Sequence, residues 1–118
     1  MPQGALRPLS AGRYGDAMLV AFSVAPAVAA DDTGSVSEAV AAAIRVVRES
    51  GLPNRTDSMF TTLEGEWDEV MAVVKGAVDA VAAASPRVSL VLKADIRPGF
   101  TGELEAKVAR IDELLADG

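Results

Sequence analysis

The sequence predicts an α+β fold of the ferredoxin-like kind: a βαββαβ chain whose four-stranded antiparallel sheet carries both helices on one side, followed by an extra C-terminal helix. Three observations predict it. Apolar runs at Met18–Pro26 and Val88–Ile96 read as strands. Two helical patterns lie between them, each opened by polar, acidic residues and closed by Gly or Pro. The order strand, helix, strand then repeats after roughly 45 residues, the length of one such half.

The chain has 118 residues, half of them apolar and 24% charged, the composition of a single globular domain. Residues 1–16, MPQGALRPLSAGRYGD, lack hydrophobic periodicity and read as a flexible extension ahead of a domain spanning 17–118. The segment Ala17–Ala30 imitates a secretory leader, with Arg7 and Arg13 before an apolar run. Asp16 abuts that run and Pro26 interrupts it, so the better reading is a buried strand. It is also too short to span a bilayer.

After a loop over 27–34, Ser35-Val36-Ser37-Glu38 has the form of a capping box. Val40, Ile44 and Val47 follow at helical spacing with Ala39 and Ala43 beside them. Ser50-Gly51-Leu52-Pro53 ends that helix, because Gly accepts the left-handed cap and Pro cannot continue. Asn54–Asp57 is a polar edge strand, and Asp57–Phe60 turns into the strand Thr61–Gly65. Glu66, Asp68 and Glu69 crowd the next helix start, where carboxylates suit the positive end of the dipole; a metal site is the weaker reading. That helix presents Val70, Val74, Ala77 and Val81 and stops at Ser85-Pro86. Arg97-Pro98-Gly99 turns the last strand into a helix over 102–116 with Leu104, Val108, Ile111 and Leu115 on one side.

Function classes are narrowed by what is missing. The chain has no Cys and no His, which excludes a thiolate or imidazole nucleophile system and His- or Cys-ligated metal. Eleven basic against 17 acidic residues give a net charge of −6, which argues against a nucleic-acid partner. Strand alternation sends Val20, Phe22, Val24, Leu63, Leu90 and Leu92 to the helices. Ser23, Thr62, Glu64, Lys93 and Asp95 then share the opposite face with Ala21 and Val91. Such a face holds either a solvated Lys93–Glu64 pair or a polar patch covered by another subunit. Trp67 reads as a core-edge anchor, and Phe60 and Phe100, in turns, as rings free to stack on a heterocycle or fill a subunit contact.

The segments Phe22-Ser23-Val24-Ala25-Pro26, Ser35-Val36-Ser37-Glu38, Thr61-Thr62-Leu63-Glu64-Gly65-Glu66, Val91-Leu92-Lys93-Ala94-Asp95-Ile96 and Glu105-Ala106-Lys107-Val108 resemble a family of small thiamine-binding proteins, over about residues 18 to 115. The resemblance implies a cytoplasmic, non-enzymatic binder of thiamine (vitamin B1) or of its hydroxymethylpyrimidine part, active in salvage or transport and needing no cofactor. It implies a subunit that pairs through its open sheet face and assembles into a homotetramer with the ligand at subunit interfaces. Carried over position by position, it points to Ser23, Thr61, Thr62, Glu64 and Asp95, and Phe60 adds a ring able to stack on the ligand. This sequence departs from the family after Pro26, where Ala27-Val28-Ala29 begins a longer loop, and at Met59-Phe60. Thiamine joins a cationic thiazolium to an aminopyrimidine, so hydroxyls and a carboxylate suit it, and an acidic chain favours it over its diphosphate. The alternatives are an oligomeric interaction module without a small ligand, and a small enzyme using Glu64 or Asp95 as a base.

Overall fold

A computed structural model of the protein describes residues 18–27 and 35–117. The expected extension 1–16, most of the expected loop and the Ser35 side chain of the expected capping box lie outside the described residues. In chain order the elements are β1 (Met18–Pro26), α1 (Ser35–Glu49), β2 (Asn54–Thr56), β3 (Thr61–Gly65), α2 (Trp67–Ala82), β4 (Val88–Ile96) and α3 (Glu103–Asp117).

The four strands form one antiparallel sheet in the order β2-β3-β1-β4, the ferredoxin-like arrangement. Its register pairs Val20 with Leu63 and Ala94, and Phe22 with Thr61 and Leu92. Those residues share one face, and α1 and α2 cover it. The core joins Met18, Val20, Phe22, Val24 and Leu63 of the sheet to Ala39, Ala43 and Val47 of α1 and to Val70, Val74, Ala77 and Val81 of α2.

The buried stripe of α1 lies one position round from the expected one. Ala39, Ala43 and Val47 are buried, while Val40 and Ile44 are half-buried. Small side chains let α1 close onto the sheet and turn its bulkier pair toward the sheet's end. At the helix–helix crossing a Cβ on Gly76 would come within 3.0 Å of Val46 Cγ1, so α1 and α2 touch where neither can widen. Gly51, at φ 81°, makes the predicted left-handed stop after α1. Glu66 and Glu69 cap α2 reciprocally, which accounts for the acidic cluster there.

Strand β4 is the sheet edge. Leu92 and Val88 pack against the core, but Leu90 between them is 43% exposed, so the edge strand is less evenly buried than alternation predicts. Trp67 is likewise 41% exposed at the start of α2.

Candidate functional site

A cavity of about 220 Å³ opens on the helix side at one end of the sheet. Its origin is a difference in strand length. The pairing of β1 with β3 ends at Phe22–Thr61, whereas β1 continues to Pro26 against β4 alone. The notch left beside Ser23–Ala25 is closed by Val40 and Ile44 of α1 and by the turn between β2 and β3.

That turn is built by Asp57. Its Oδ1 accepts from the backbone N–H of Met59 at 2.8 Å and of Phe60 at 2.9 Å, and its own N–H donates to the Phe60 carbonyl. The Phe60 and Met59 amides, in that order, hold the Asp57 carboxyl below its ordinary value, so it stays anionic through the physiological range. Both bonds fall on Oδ1, and the turn leaves Oδ2 unused. Beside it the hairpin register brings Thr56 opposite Thr61, with their hydroxyl oxygens 3.1 Å apart. Phe22, Val24, Met59 and Phe60 supply apolar walls. The site thus offers the Asp57 carboxylate, the Thr56–Thr61 hydroxyl pair and the Phe60 ring around a small apolar chamber, and among the described residues no Lys or Arg lines it.

The expected cluster is divided. Phe60 and Thr61 line this cavity, and Thr61 is 3% exposed on the helix side. Thr62, Glu64 and Asp95 alternate onto the opposite face. Ser23 borders the cavity along its strand, yet alternation puts its side chain on the helix-free face. There it pairs with Val91, four residues along β1 from the Leu19–Asp95 pair, roughly 13 Å away. A single patch of all six residues therefore does not form, because adjacent Thr61 and Thr62 must point to opposite faces.

The helix-free face is also partly occupied, which alternation could not reveal. Glu64 is 6% exposed and its carboxylate accepts from the first amides of α3, Glu103 N at 3.1 Å and Leu104 N at 3.0 Å. The solvated Lys93–Glu64 pair is thus replaced by a helix cap. Lys107 of α3 donates to Asp95 at 2.6 Å, and Arg55 donates to Glu105 at 2.6 Å. Buried Glu103 takes Arg110 at 3.0 Å and Arg97 at 3.5 Å, and the Arg97 guanidinium lies 3.6 Å over the Phe100 ring. Phe100 thus stacks on a neighbouring cation. Between α3 and the sheet runs a groove of about 450 Å³, lined by Leu19, Ala21, Thr62, Lys93, Ala94, Asp95 and Lys107.

Thr56 and Asp57 are the site residues that sequence reasoning missed. An Asp opening a short turn between two strands was the available signal. Thr56 could be placed only once the hairpin register was known. Among the described residues no cluster of metal-binding side chains occurs, and no helix is long and apolar enough to cross a membrane.

Residues 20–112 match the model of a family described as thiamine-binding protein. A UPF0045 protein of Mycobacterium bovis is 56% identical over 99 residues, covering 83% of this chain and 94% of the relative. Among solved structures, a hypothetical protein of Methanocaldococcus jannaschii superposes with a TM-score of 0.71 at 32% identity, covering 83% of this chain and 98% of the other. A candidate thiamine biosynthesis/salvage protein of Thermotoga maritima superposes with a TM-score of 0.65 at 28% identity, over 79% of this chain and 98% of the other.

Proposed function

Since this chain belongs to the thiamine-binding protein family, we propose that it binds thiamine without turnover, seating the hydroxymethylpyrimidine end in the helix-side cavity. The observation that carries this reading is the joint presence of Asp57, the Thr56–Thr61 hydroxyl pair and Phe60 around one apolar chamber. Its volume of about 220 Å³ falls below the range of pockets that enclose whole drug-sized ligands. One heterocycle fits inside, and the second ring lies at the mouth. The hydroxyls match the aminopyrimidine, which needs both donors and acceptors. Asp57, exposed at the rim, accepts from the amino group or offsets the thiazolium charge, and Phe60 presents a ring to the cation. A chamber whose described lining holds no basic side chain favours thiamine over its diphosphate.

In this reading Glu64 and Asp95 hold α3 rather than ligand, and neither serves as a catalytic base. The protein acts in the cytoplasm in salvage or transport of the vitamin; the description of the Thermotoga maritima relative as a candidate thiamine biosynthesis/salvage protein supports the salvage role. It works as a homo-oligomer, a dimer or tetramer associated through the helix-free sheet face.

Calorimetric titration tests the ligand. Thiamine and hydroxymethylpyrimidine give binding heat, and thiamine diphosphate binds more weakly. Thr61→Val weakens both ligands about 10-fold, the value of one hydrogen bond. Asp57→Asn weakens cationic thiamine more than the neutral pyrimidine. Absence of heat with both thiamine and the pyrimidine overturns the proposal.

A further inference from the structure

The groove beneath α3 differs from the helix-side cavity in size and in the sign of its charge. Its origin lies in two neighbouring rows of the helix-free face. The row Asp95–Leu19–Glu64 is tied to α3 at both ends, because Glu64 accepts from the first amides of the helix and Lys107 donates to Asp95 at 2.6 Å. The next row on that face is Lys93–Ala21–Thr62. Ala21 and Thr62 are too small to fill the space between sheet and helix, and the groove of about 450 Å³ remains there.

Size, polarity and charge together define what fits. The volume lies within the range of pockets that take whole small molecules, unlike the 220 Å³ chamber on the other face. Leu19 and Ala21 give an apolar floor, and an adjoining recess of about 260 Å³, which shares Leu19, Thr62 and Lys107, adds Leu104 and Val108 of α3. In the described lining two ammonium groups, Lys93 and Lys107, face one carboxylate, Asp95, so the groove is locally positive in a chain of net charge −6. Asp95 holds Lys107. Lys93 has no ion-pair partner among the described residues, because the carboxylate of Glu64 is occupied by the amides of α3. Its ammonium brings donors and no acceptor. In the recess Arg55 is taken by Glu105, and Asp57 and Glu103 oppose an anion, which leaves Lys93 as the place for one.

We propose that this groove is a second ligand site, which takes a small organic anion: an apolar ring body over Leu19 and Ala21 carrying one carboxylate that accepts from Lys93. One uncompensated positive charge matches one carboxylate, whereas the second charge of a phosphate monoester meets Asp95. A cation such as thiamine is repelled by both lysines, so the two sites, on opposite faces of β1, select ligands of opposite charge. A single chain builds the groove, from its own sheet and its own α3.

Titration of the full chain with 2-naphthoate, followed by two-dimensional NMR, tests the site. Naphthoate binds saturably and moves the Ala21, Thr62 and Lys93 amides. Its uncharged counterpart 2-naphthamide binds at least about 10-fold more weakly, as the loss of a charge-assisted hydrogen bond requires. Lys93→Met, a change at an exposed side chain, weakens naphthoate by a similar factor, and the unchanged spectrum of the core amides verifies that this variant is folded. Absence of saturable shifts, equal binding of acid and amide, or full naphthoate binding by Lys93→Met overturns the inference. Displacement of naphthoate by thiamine also overturns it, since the groove would then be the seat of the vitamin.

Discussion

At Asp95 a lysine from another element sets the acidity of a strand carboxylate. Lys107 donates to it, and this bond first, then the lysine's charge, holds the carboxyl below its ordinary value of 3.8. A depressed carboxyl contributes stability above its unfolded value and loses it as pH falls through the lower folded one. The tie from β4 to α3 therefore persists through neutral pH and loosens below about pH 4. Both partners are nearly half exposed, so the gain is small. A pH titration of the Asp95 side-chain carbon by NMR places its midpoint below 3.8, and Lys107→Ala raises it; an unchanged midpoint would show that the contact is not populated. Single residues were the least readable level of this sequence. Glu64 read as a ligand or a lysine partner, because nothing local tells a strand that a helix start 39 residues later needs an acceptor. Thr61 entered beside Thr62 only through the family resemblance, and adjacency on one strand puts the two on opposite faces.

Elements were far more readable. Alternation in β1, Gly51-Leu52-Pro53 after α1 and the acidic start of α2 each fixed a boundary to within a few residues. The place of α3 was not readable, since a 4-3-4 stripe announces an apolar face without naming its partner. Its attachment is polar: no described α3 residue enters the buried core, while Glu64 caps it, Lys107 and Glu105 tether it to Asp95 and Arg55, and Glu103 takes Arg97 from the preceding turn. Glu64→Ala leaves the Glu103 and Leu104 amides without their acceptor, a loss of about 1–3 kcal/mol. Hydrogen exchange checks this: the Glu103, Leu104 and Ala106 amides exchange at least about 5-fold faster, and the Val20 and Phe22 amides keep their rates. Equal acceleration across the sheet would mean that α3 and the core open as one unit.

For the whole molecule, ligand binding and folding are linked, because the cavity exists only when β1, α1 and the hairpin are assembled. Thiamine at a hundred times its dissociation constant stabilises the native state by about 2.7 kcal/mol. Thermal unfolding with saturating thiamine shows a rise of about 10 °C or more for a domain of this size, and Asp57→Asn reduces the rise. No shift at saturation is the contrary result. At this scale the fold class was fully readable, because two βαβ halves of matching length leave few ways to pair four strands. The site was half readable: its hairpin and ring were visible, and the notch created by unequal strand lengths was not.

The position of β1 also bears on how the protein is made. Of the described strands it is synthesised first, yet it ends between β3 and β4, and its β4 partners, Val88–Ile96, are translated about 70 residues later. Until they clear the ribosome, an apolar ribbon waits without one of its neighbours, a window in which nascent chains are prone to clump or attract chaperones. Birth order, rather than the finished architecture, thus makes β1 the described strand most in need of shelter.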